Sequence, residues 1–188
     1  MVHVTDQLHI IDSVPFANAK QTLRGALPVA GFERLRDSLW SAGESARQAA
    51  NASHVDYEVG GGADAQARPV LRLKVHGRLW LQCQRCLDGF EHELVIDTTL
   101  RLASEASLDA EHSDDPDEPD CIAASRELDL AALIEDEILL ALPAYPRHNV
   151  GDSGCRSDAG KMGSKQVSAF SVLGQLDTLK QKAFTSKE

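Results

Sequence analysis

Long apolar runs are missing from this chain. No stretch approaches the roughly 18 apolar residues of a membrane span, and Met1 to Ile10 shows no basic region leading into an apolar run, as a signal peptide would. A soluble, cytoplasmic chain without membrane contact is expected. Cysteine is sparse as well: four residues, unevenly spaced, do not make a disulfide framework and leave reduced thiols or a metal site. Positive charge is in deficit, with a formal net charge of -10. That is the opposite of what a protein gripping RNA through phosphate neutralisation carries. Catalytic signatures are absent: no GxSxG, P-loop, HExxH or dinucleotide-binding glycine pattern occurs, and the seven histidines are scattered. Nothing here argues for an enzyme, and no internal repeat is apparent.

What is present suits one core. The 188 residues are 43% hydrophobic, enough for one ordinary domain but little for a second. Leu8, Ile10 and Ile11 suggest a first strand, and Gly25 to Pro28 reads as a break. From Val29 the spacing of Phe32, Leu35 and Leu39 suits a helix. His54 to Val59 alternates as a short strand that Gly60, Gly61 and Gly62 end. The clearest pattern runs from Val70 to Cys83, where Leu71, Leu73, Val75, Leu79 and Leu81 alternate with Arg72, Lys74, His76, Arg78 and Trp80. After a short turn, Phe90 to Leu102 alternates likewise, so the two read as an antiparallel hairpin. Leu128 to Leu142 is the strongest helix, stopped by Pro143.

The predicted fold is therefore a single α+β domain over about 1–150. A mainly antiparallel sheet with a long hairpin over about 70–102 is packed by helices over about 29–42 and 128–142. A flexible acidic loop over 103–120 interrupts it, and 151–188 is expected to hold a linker and a short C-terminal helix. Asp109, Glu111, Asp114, Asp115, Asp117, Glu118 and Asp120 crowd that loop, and without them the body is nearly balanced in charge.

One compact motif carries chemistry. Cys83 and Cys86 stand two residues apart at the hairpin tip, where both thiols reach one ion. His148 and Cys155 are the expected further ligands of a possible zinc, with Cys121 and His112 weaker. Two other readings stay open: a reduced pair with Cys83 packed as a small apolar side chain, and a redox dithiol. The redox reading wants a helix N-terminus beside the thiol, whereas both flanks here look like strands. Arg72, Lys74, Arg78 and Trp80 share one strand face and offer a platform for single-stranded RNA. Glu91, Glu93 and Asp97 compete for those cations across the hairpin, and cross-strand pairing is preferred. Glu135, Asp136 and Glu137 are consecutive on a helix and diverge by about 100° each, so they suit a solvated face or a partner contact flanked by Leu133 and Leu140 better than a shared cation.

Three separated blocks complete the reading: Leu81 to Cys86 (LQCQRC), Glu127 to Pro143 (ELDLAALIEDEILLALP) and Ala169 to Leu176 (AFSVLGQL). Their order and spacing resemble the large ribosomal RNA subunit accumulation proteins, the YceD-like family, from about residue 70 onward. The resemblance implies a non-enzymatic ribosome biogenesis factor supporting synthesis, processing or stability of large-subunit 23S rRNA. It brings no catalytic residues with it. The expected partner is a large-subunit pre-rRNA particle, a basic ribosomal protein or an assembly factor. The alternatives are a direct single-stranded RNA-binding module and a CxxC thiol-redox protein.

Overall fold

In the computed structural model, residues 10–41, 43–108 and 118–148 are described. Strand β1 (Ile10–Ile11), helix α1 (Ser13–Asn18) and strand β2 (Thr22–Pro28) open the chain. Two 3-10 turns, Val29–Gly31 and Leu35–Ser38, precede α2 (Gly43–Ala52) and β3 (His54–Ala63). Next come β4 (Pro69–Gln82), β5 (Gly89–Ala103) and a 3-10 turn, Glu105–Ser107. The last described elements are β6 (Asp120–Ala123), β7 (Leu128–Asp129) and α3 (Leu130–Ala141).

Five strands form one sheet in the order β2-β3-β4-β5-β6, antiparallel except for the parallel β5-β6 pair. This is the expected α+β architecture. The hairpin is its spine, pairing one-to-one from Val70 opposite Arg101 to Gln82 opposite Gly89. Strict alternation puts Leu71, Leu73, Val75, Leu79 and Leu81 on one face, where they bury against Leu94 and Ile96. Leu130, Ile134 and Ile138 of α3, spaced four apart and all buried, join the same core. Removing each such side chain from water is worth about 1.5–3 kcal/mol. Asp129 caps α3 by accepting from the Ala131 and Ala132 amides at 2.9 and 3.3 Å. The helix ends at Ala141, two residues before Pro143.

A second, two-stranded pairing of β1 with β7 brings Ile10 and Ile11 beside the start of α3. The buried Ser13 secures it, since its amide and hydroxyl both donate to Ser125 O at 2.9 Å while its hydroxyl accepts from the Ser125 amide at 3.0 Å.

Three expectations need correction. The helix over 29–42 is not formed: two short 3-10 turns stand there, and the helix begins only at Gly43. Phe32 and Leu35 are buried by tertiary contact, while Leu39 bridges to Leu81 of β4. The apolar spacing therefore reports packing against the sheet and α3, not a helix face. Gly25 to Pro28 is strand rather than break, because the Tyr57 ring on the neighbouring strand lies over Gly25; a Cβ there would sit 2.7 Å from the Tyr57 hydroxyl. The strand at 54–59 also runs on through its three glycines to Ala63. At Gly61 a Cβ would stand 2.5 Å from the Phe16 carbonyl oxygen, so the bare backbone lets α1 press onto β3.

Described residues at both ends of the stretch predicted as an acidic loop form regular structure. Ala103 belongs to β5, Glu105–Ser107 makes a 3-10 turn, and Asp120 opens β6. Residues 109–117 and the proposed C-terminal linker and helix lie outside the described residues.

Candidate functional site

The hairpin tip is built around Cys83, which alternation carries to the buried face of β4. Its amide donates to Asp88 O and its carbonyl accepts from the Leu87 amide, both at 2.9 Å. Leu87 adopts a positive φ of 65° to close this turn. The Arg85 amide then points at Cys83 Sγ, at 3.4 Å. Burial pushes the Cys83 thiol up, but the amides of Cys86, His148 and Arg85 and the His148 side chain outweigh it and bring the thiol down to about 5. The turn is thus arranged for a thiolate.

His148 arrives because the chain after α3 is tied to this turn. The Gln84 amide donates to Pro146 O at 2.9 Å and its side-chain amide to Ala144 O at 3.4 Å. The imidazole packs at a tilt of 43° against Phe90, ring centres 5.1 Å apart, and places Nδ1 at 3.5 Å from Cys86 Sγ. The three potential ligand atoms of Cys83, Cys86 and His148 all lie within 4.8 Å of one another. Tetrahedral zinc with Zn–S near 2.3 Å and Zn–N near 2.0 Å separates its ligands by about 3.5–3.8 Å, so this set would have to draw in by up to about 1 Å to hold zinc. Two thiols and an imidazole are also a donor set that zinc favours. Cys121 lies instead in β6, opposite Arg101. Cys155 and His112 lie outside the described residues.

The opposite face of the hairpin carries the proposed RNA platform, and acids share it. Lys74 meets Asp97 at 3.4 Å, Arg78 meets Glu91 at 3.4 Å and His76 meets Glu93 at 3.7 Å. One register row runs Arg24, Glu58, Lys74, Asp97 across four strands, closed at its end by an Arg24–Glu58 pair at 2.8 Å. Trp80 is half-buried against Trp40, ring centres 5.8 Å apart. Arg72 extends over Gly62. Cross-strand pairing, the reading preferred from sequence, is what the described face shows.

The acidic trio of α3 divides, which corrects the expectation of one solvated face. Glu135 is buried, and its Oε1 accepts from the Arg34 amide at 2.7 Å and the Leu35 amide at 2.9 Å. Its Oε2 meets the Arg34 guanidinium at 3.2 Å, and Asp136 pairs with the same guanidinium. Those amides belong to a turn that has no helical partner for them, so the carboxylate comes inward to satisfy them. Burial, then Asp120 and Asp136, push the Glu137 carboxyl up. Leu133 packs against the core, whereas Leu140 is 78% exposed. Sequence reasoning missed Arg34 as the partner of Glu135, and a separation of 101 positions left no local signal.

Fold and turn together define a small α+β protein with a thiolate-stabilising CxxC knuckle pinned to the segment after α3. Residues 71–177, more than half of the chain, match the family described as "Large ribosomal RNA subunit accumulation protein YceD". The chain belongs to that family, whose name ties it to accumulation of the large ribosomal subunit RNA. No solved structure matches it.

Proposed function

We propose that the protein is a non-enzymatic factor supporting accumulation of 23S rRNA by engaging a basic ribosomal protein or an assembly factor within the pre-rRNA particle. The family match over 71–177 carries this reading. Pairing of the outer-face cations with carboxylates favours a protein partner over bare RNA, because those cations already neutralise charge at home. Leu140, one turn along α3 from Asp136 and Glu137, is exposed, as is Tyr145 after the helix, and these suit a partner contact at the end of α3. A single structural zinc on Cys83, Cys86, His148 and Cys155 belongs to the same reading. It would fix the segment after α3 to the hairpin tip and leave no open position for catalysis.

Depletion in cells should lower mature 23S rRNA relative to small-subunit rRNA. An unchanged ratio during cold or rapid growth would refute the role. Purified full-length protein should retain a basic ribosomal protein or assembly factor. Salt-sensitive binding to protein-free 23S rRNA would replace this partner with RNA, and turnover in disulfide reduction would replace the role with redox chemistry.

A further inference from the structure

Strand β5 is fifteen residues long, but β6 covers only its last four, from Leu100 to Ala103. From Glu91 to Thr99 no other strand lies beside its outer edge among the described residues. About half of the N–H and C=O groups there point away from β4, as in any antiparallel edge strand. Natural edges are commonly blunted by a proline, a bulge or charged side chains, lysine above all, which deter uncharged or like-charged strands. This stretch has no proline, lysine or bulge, its pairing with β4 being one-to-one without interruption; its charges are all acidic, Glu91, Glu93 and Asp97, and so leave the edge open to a basic strand.

Those acids alternate along one side of the strand. Glu93 and Asp97 have side chains 73% and 67% exposed. Between them Val95, 66% exposed, offers an apolar contact on the same face. Their pairs with β4 are 3.4–3.7 Å long and solvent-accessible, so each carboxylate keeps room for a second cation.

We propose that the Glu91 to Thr99 edge of β5 captures an extended basic segment of a partner protein by strand addition. The partner's backbone continues the sheet, and alternate Lys or Arg side chains lie beside Glu91, Glu93 and Asp97. The acids repel RNA phosphate and disfavour a second copy of this edge, whose own acids would face them. This assignment rests on the reading that the partner is a basic protein and gives that reading its surface.

The test uses full-length protein and a synthetic peptide alternating Lys and Thr, long enough to span Glu91 to Thr99, followed by binding titration and amide hydrogen exchange. The peptide should bind more weakly as salt rises and slow exchange at β5 amides between Glu91 and Thr99; a Glu-Thr peptide should not bind. The double variant Glu93→Lys, Asp97→Lys should weaken binding by roughly tenfold. The neutral pair Glu93→Gln, Asp97→Asn should fall between, with the melting curve confirming that both remain folded. Four results overturn the proposal: β5 amides already as slow as those of β4 in the free chain, slowing that grows with protein concentration alone, protection by an RNA oligonucleotide instead of the peptide, or peptide affinity unmoved by charge reversal. If the double variant still co-purifies with the basic partner, the edge is wrong and the proposed function stands. If wild type retains no such partner, the function itself fails.

Discussion

Replacing Glu135 tests how α3 is joined to the loop that precedes α2. Its Oε1 takes two backbone amides, from Arg34 and the buried Leu35, at 2.7 and 2.9 Å, while Oε2 takes the Arg34 guanidinium at 3.2 Å. Glu135→Ala leaves both amides without their acceptor, and each unsatisfied donor costs about 1–3 kcal/mol. The guanidinium adds less, because it is 52% exposed and screened by water; such pairs contribute about 0–1 kcal/mol. The expected loss is about 3–4 kcal/mol for Glu135→Ala. Glu135→Gln keeps one oxygen for the amides but turns an NH2 toward Arg34, and should lose about 1–2 kcal/mol. Arg34→Ala should cost about 1 kcal/mol or less. Urea unfolding of the three variants measures these values from midpoints at constant slope. Equal losses in Glu135→Ala and Arg34→Ala would refute the reasoning, since the ion pair rather than the amides would then carry the energy.

Elemental analysis of untagged, reduced protein should find single-site or substoichiometric zinc that Cys83→Ser or Cys86→Ser releases; metal-free protein would eliminate the site. Cys155→Ser should weaken retention more than Cys121→Ser, because Cys121 sits in β6 away from the cluster, and equal retention would reject Cys155 as a ligand. Gly61→Ala places a methyl 2.5 Å from the Phe16 carbonyl oxygen and 2.7 Å from Ala17 Cα, which should cost about 1–3 kcal/mol by thermal or urea unfolding; unchanged stability would show that α1 is not held against β3. Deleting Asp109 to Asp117, which spares β6, should leave the melting temperature nearly unchanged yet slow partner association at low salt, where clustered charge steers over roughly 8–10 Å. A loss of several kcal/mol would mark the segment as packed, and an unaffected association rate would reduce it to a tether.

Local pattern determined the hairpin and α3. The two-residue alternation from Val70 onward is set by the pleat, which sends successive side chains to opposite faces, so the hairpin and its buried face followed from the chain itself. The spacing of Leu130, Ile134 and Ile138 and the stop at Pro143 gave α3 in the same way, and the pair of cysteines at the turn marked where three potential ligand groups converge. Tertiary structure decided what local pattern does not encode. Phe32, Leu35 and Leu39 have helical spacing but are buried by the sheet and α3, so their backbone stays in short turns. Gly25 and Gly61 read as breaks, yet the Tyr57 ring over one and the α1 backbone against the other make them strand positions. His148 reaches Cys86 because Gln84 holds the chain after α3, a contact across about sixty residues. Glu135 looked like a solvated charge because a helix face is judged from its neighbours in sequence, whereas the amides that draw it inward lie a hundred residues earlier.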